Sequence, residues 1–198
     1  GHWSLVMAAW LLPGIAAWGF TGQCRLQVVA LWLASLTPTG AITALIVGTC
    51  TATRRWFLLC VGLLTCLPWL IPALLHPATS SPDGAGAFAP RAETRVGVVG
   101  SVAGLGGIWN SQAVPPSREA GFAMAGVALF CVLLVWAWRH AARRALRPLI
   151  ALAAAALGCL LISYIALPFT SWIVTHIPGA ALWRDSQKLV MFAIPAYA

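Results

Sequence analysis

Long uncharged apolar blocks, separated by short polar or basic connectors, dominate the pattern of this chain. Uncharged runs of about 18 residues or more predict membrane-spanning helices rather than core helices of a soluble domain. The first block is "WSLVMAAWLLPGIAAWGF", residues 3–20. Pro13-Gly14 predicts a kink in it, because proline removes one helical hydrogen bond. The polar turn "TGQCRLQ" leads to a second block at 26–50, interrupted by "TPTG" at 37–40. That interruption either kinks one helix or separates two half-helices dipping from one side. Neither half is long enough to cross alone, so one kinked span is expected.

Further spans are predicted from Trp56 to about Leu75, from Gly121 to Trp138 and from Pro148 to Phe169. A sixth apolar run starts after residue 188 and has gone only about ten residues when the chain stops, too few to cross. The chain also begins at Gly1, already in apolar sequence, and therefore reads as a piece of a longer protein. The expected fold is an all-α, multi-pass transmembrane bundle of about five complete spans plus one truncated. Residues 1–198 form a single transmembrane region, with a long external loop at 76–120.

Composition agrees with this pattern. Hydrophobic residues make up 61% of the 198 and charged residues 8%, with a mean hydropathy of +0.87. Soluble domains carry roughly 25% charged residues, so this chain has too few to solvate a surface. The charge distribution adds orientation. Arg54 and Arg55 fill one short connector, and Arg139, Arg143, Arg144 and Arg147 another, with no acid in either. By the positive-inside rule, 51–55 and 139–147 lie in the cytoplasm, and 21–25, 76–120 and 170–188 outside. The net charge of +8 is then an orientation signal on a lipid-facing protein, and no nucleic-acid partner is expected.

The external loop carries most of the candidate chemistry. "VGVVGSVAGLGGIWN" at 96–110 is apolar, glycine-rich and too short to span, which predicts a re-entrant or interfacial element. Gly100 and Gly104 have the spacing that lets helices pack closely. The glycines are no nucleotide loop, since no GK[ST] follows. The run either packs on the bundle or lines a cleft, with Trp109, Asn110 and Gln112 facing a polar ligand. "PPSRE" at 115–119 ends the loop, and Ser117 is placed to cap the next helix. Arg91, Arg95 and Arg118 are suited either to lipid headgroups or to one phosphate. The six cysteines show no CxxC spacing and the four histidines no ligand spacing. No span interior holds an Asp, Glu, Lys or Arg, unlike the usual core of an ion-coupled carrier.

The pairing of "FAPRAETRVGVVGSVAGLGGIWNSQAVPPSR" (88–118) with "LWRDSQK" (182–188) resembles large actinobacterial polytopic membrane proteins similar to integral-membrane C-type glycosyltransferases. The resemblance implies a bilayer-embedded protein that uses a polyprenyl-phosphate-linked sugar at the outer face, in cell-envelope glycan assembly. The acid essential in that family sits in an early external loop and has no counterpart here, so no catalytic residue is assigned. A site of this kind needs cations for the phosphate and amide or aromatic groups for the sugar. Arg118, Arg184, Lys188, Asn110, Trp109 and Gln187 have those chemistries. Asp185 suits the orientation of a cation, a divalent metal or a sugar hydroxyl, or a helix cap with a local ion pair to Lys188. The other reading is a non-enzymatic multispan protein, a transporter or flippase component or an envelope-assembly scaffold.

Overall fold

The computed structural model describes residues 3–75, 84–140, 146–177, 180 and 185–198. Those residues are overwhelmingly helical, and no strand occurs among them. Three helical stretches are long and apolar enough to cross a membrane: Arg55–Leu75, Arg118–Trp136 and Arg147–Ile165. Their faces are largely uncovered by the rest of the chain, as expected where lipid is the solvent.

Helix α1 (Trp3–Phe20) occupies the first predicted block and carries Pro13 inside it. The second block departs from expectation. It is two helices, α2 (Cys24–Ala34) and α3 (Pro38–Thr51), not one kinked span over 26–50. Local chemistry explains the break. Thr37 precedes a proline and is therefore pushed out of the helical region, to φ −128° and ψ 146°. From there its Oγ1 accepts the Gly40 amide at 3.2 Å and caps α3, with Pro38 in the first turn, where its missing amide costs nothing.

The two helices then run antiparallel. Buried Gln27, in the first turn of α2, donates from Nε2 to Ile15 O of α1 at 3.1 Å. It also lies 3.4 Å from Gly48 O and 3.5 Å from Thr51 Oγ1, near the end of α3. Close packing of small residues holds the unit together. A Cβ on Gly40 would strike Ala34 O and the Ala8 side chain, and one on Gly19 would strike Gln27 and Thr51. At 1.5 Å per residue, α2 and α3 are about 16 and 21 Å long, short of the roughly 30 Å hydrocarbon core. The chain thus enters and leaves this hairpin at one end.

That geometry corrects the expected alternation of loops. The connectors 21–25 and 51–55, expected on opposite sides, lie at one end of the bundle, where Gly22 through Arg25 and Thr53-Arg54 line one groove. Helix α4 (Arg55–Leu75) starts there and packs back along α3. Leu58 lies against Gly48, and Gly62 against Leu45 and Leu31.

The second half follows a different plan. Helix α5 (Gly84–Ala87) is one turn, and α6 (Gly97–Ala103) packs on α7 (Ala123–His140) and on α8 (Arg147–Ile165). Gly104 meets the backbone of Gly126, and Gly100 lies over Val127, so the expected small-residue packing is present. A π-helical turn, Arg118–Phe122, leads into α7, with Gly121 at φ 130°. Ser117 occupies the cap position without a side-chain cap bond, contrary to expectation.

Two further boundaries differ. The fifth span ends at Ile165, and α9 (Leu167–His176) occupies part of the expected loop at 170–188. Pro168 lacks the amide needed to continue the ladder. The final run is a 3-10 helix, Ser186–Phe192, followed by α10 (Ile194–Tyr197), because Pro195 breaks the α pattern. This tail runs antiparallel to α8: Val190 clusters with Leu160, while Pro195 to Tyr197 lie near Leu149. Its start lies against Val6 and Ala9 of α1, roughly two turns before Ile15. Asp185 and Lys188 are therefore at one end of the bundle, and Arg25, Arg54 and Arg147 at the other.

Candidate functional site at the Asp185 end

At this end the 88–118 segment folds around a single ion pair. Glu93 is held at the start of a tight reversal: its amide donates to Ser101 Oγ at 2.8 Å, and Ser101 Oγ in turn bonds Gly97 O. Arg95 (φ 69°) and Gly97 (φ 63°) adopt left-handed backbone to make the turn into α6. The Glu93 side chain is 4% exposed and receives Arg118 bidentately, with Nη2 to Oε2 at 2.7 Å and Nε to Oε2 at 2.9 Å. The Gly107 amide donates to Oε1 at 3.0 Å.

Glycine is required around the pair. A Cβ on Gly106 would overlap both Arg118 Nη2 and Glu93 Oε1, and Gly107 stands at φ 81°. Burial by itself raises the Glu93 carboxyl pKa. The Arg118 bonds, the Gly107 amide and the fields of Arg118 and Arg91 outweigh burial and hold it below the ordinary carboxylate value. Glu93 therefore stays ionised and locks Arg118.

Beside this lock lies a cavity of about 280 Å3, lined by Val6, Ala9, Ile108, Trp109, Asp185, Gln187, Lys188, Val190, Met191 and Ile194. It is joined to the glycine loop by Gln187 Nε2, which lies 3.5 Å from Gly106 O. Trp109 is braced edge-to-face by Phe88, with ring centroids 4.6 Å apart at 72°. Lys188 Nζ approaches Asp185 Oδ2 at 3.4 Å, with the two side chains 28% and 17% exposed. Asp185 Oδ1 is buried with no hydrogen-bond partner.

Four of the sequence-predicted site residues, Trp109, Asp185, Gln187 and Lys188, thus line one space. Arg118 and Asn110 do not join them there. Arg118 is committed to Glu93 rather than open to a phosphate. Asn110 caps the 3-10 turn Ser111–Ala113, its Oδ1 accepting the Gln112 amide at 3.0 Å. Arg184 lies outside the described residues. Asp185 occupies the cap position of the last 3-10 helix but makes no side-chain cap bond, so only the ion-pair part of that expectation is present. For a divalent metal, Asp185 offers one carboxylate, and no group of three ligand-type side chains gathers among the described residues.

Sequence reasoning assigned no role to Glu93. The available signal was an acid and an arginine in one glycine-rich loop, where paired glycines make room for a buried pair. In comparisons with known proteins, no family model, curated protein or solved structure matches the chain.

Proposed function

We propose that the chain belongs to a multi-pass membrane protein, glycosyltransferase-like, that handles a polyprenyl-phosphate-linked sugar at the outer face during cell-envelope glycan assembly. The observation that carries this reading is the clustering of Trp109, Asp185, Gln187 and Lys188 around one cavity at the end of the bundle. Each has work to do on such a ligand. Lys188 carries three donors, only one of which can face Asp185, and the rest suit a phosphate. The unpartnered Asp185 Oδ1 and the Gln187 amide suit sugar hydroxyls, and the braced indole suits a sugar face. The volume sits at the lower edge of the roughly 300–1,000 Å3 of small-molecule sites, which suits a headgroup rather than a whole lipid.

The topology we infer has α1, α4, α7 and α8 crossing the bilayer and α2–α3 re-entering from the basic end. Arg25 joins Arg54, Arg55 and Arg147 at that end, which the positive-inside rule assigns to the cytoplasm. The cavity then faces outward, where a lipid-linked donor presents its sugar.

The test is crosslinking of the purified protein in proteoliposomes with a diazirine-bearing polyprenyl-phosphate hexose. Label is expected on peptides containing Trp109 or residues 185–194, and it should fall severalfold in Lys188→Ala and Trp109→Ala. Label elsewhere, or label indifferent to both substitutions, rejects the site. Labelling without transfer of the sugar to an acceptor favours the non-enzymatic carrier-handling reading.

A further inference from the structure

The opposite end of the bundle carries a larger and chemically different space, which the proposed function does not use. A groove of about 850 Å3 is lined by Arg25, Leu26, Val28, Val29, Arg54 and Phe57 among others. It exists because the α2–α3 hairpin returns the chain to its point of entry and so sets the turn before α2 beside the turn before α4.

Three properties of the groove converge on one ligand class. Arg25 and Arg54 stand on it from separate turns, both exposed and without an ion-pair partner among the described residues. Two helices of eleven and twenty-one residues, α2 and α4, begin at it, and the positive ends of their dipoles add to the field of the arginines. The remaining wall is apolar: Leu26, Val28 and Val29 follow Arg25 along α2, and Phe57 follows Arg54 on α4. Exposed Trp56, 80% accessible beside Arg55, has the character of a side chain anchored at the headgroup level.

An inorganic anion would satisfy the cations and leave the apolar wall bare. An acyl chain would cover the wall and leave two arginines uncompensated at a bilayer surface. A molecule with a phosphodiester at one end and acyl chains at the other matches both. We propose that this groove is a binding site for an anionic phospholipid, its phosphodiester held between Arg25 and Arg54 and an acyl chain along Val29 and Phe57. The bound lipid clamps the mouth of the hairpin, since the two arginines come from its entry and its exit.

Native mass spectrometry of the purified protein in micelles tests this, with phosphatidylglycerol and phosphatidylcholine as probes. Wild-type protein should retain phosphatidylglycerol in preference to phosphatidylcholine. Arg25→Gln/Arg54→Gln should weaken retention about thirtyfold, from two cations of roughly equal weight near the membrane surface. Arg139→Gln, at the basic end but not on the groove, should leave retention unchanged. Val29→Trp, which fills the wall and keeps both arginines, should also reduce retention, and a monodisperse elution profile checks the fold of each variant. Equal retention by wild type and the double variant overturns the proposal. So does an equal loss in the Arg139 variant, which would mean diffuse attraction to a basic surface. Full displacement of the lipid by millimolar inorganic phosphate, with Val29→Trp without effect, would mean an anion site and would also overturn it.

Discussion

Glu93→Ala removes the centre of the Asp185 end and should be the most destabilising single substitution in the 88–118 segment. The loss can be worked from the contacts. Arg118 would keep its charge with its side chain only 22% exposed, and the carboxylate that receives its two best hydrogen bonds would be gone. Removing one partner of a buried pair costs about 3–5 kcal/mol, and the partial exposure of Arg118 puts this case at the low end. The Gly107 amide also loses its acceptor, which adds about 1 kcal/mol. The expected total is about 3–4 kcal/mol. Arg118→Ala should cost about 3 kcal/mol, since it strands the Glu93 charge at 4% exposure. The double variant should be less destabilised than the sum by about 2 kcal/mol, because neither charge is then left alone. Tryptophan fluorescence during denaturant unfolding in mixed micelles measures all three. Singles that each cost under about 1 kcal/mol, or costs that simply add, would refute the view that this pair organises the loop.

Gly106→Ala should cost nearly as much as breaking the pair, because the added methyl occupies the space of Arg118 Nη2 and Glu93 Oε1; wild-type unfolding midpoints would show that the loop can yield. The pH dependence carries a definite sign. The folded Glu93 carboxyl lies below its ordinary value of 4.5, so its contribution is complete above that value and is lost as pH falls through the lower folded-state value. Unfolding midpoints should therefore drop in that acid window for wild type and change less for Glu93→Gln. In a background with the other cysteines replaced, Cys24 and a Thr53→Cys variant should react with a membrane-impermeant maleimide from the same side of sealed vesicles. Reaction from opposite sides would mean that 26–50 crosses the membrane.

The sequence was most legible where hydropathy alone decides. Trp3–Phe20 and Arg55–Leu75 match their predicted blocks almost to the residue, since an uncharged run in this environment has no competing partner. It was least legible where a tertiary contact decides. No charged residue breaks 26–50, and what folds it back is the reach of Gln27 to Ile15 and toward Thr51, twelve and twenty-four positions away. Pro38 after Thr37 pointed to the break, but the shortness of each half argued for one kinked crossing over two half-helices. Trp109, Asp185, Gln187 and Lys188 were singled out from residue chemistry, and these four line one cavity; their common position was not legible. The role of Arg118 was not, because a sequence does not show that a cation is already taken by an acid twenty-five positions earlier.

The hairpin also bears on how the chain is assembled. A segment whose two mouths lie on one surface adds an even number to the parity of crossings, so it can be lengthened, shortened or lost without inverting anything downstream. A true span has odd parity, and its loss turns every later loop inside out. Deleting residues 24–51 should therefore leave a reporter fused after α4 on its original side. In the proposed topology α2 and α3 can therefore change in depth and shape while α1 and α4 keep their sense of insertion.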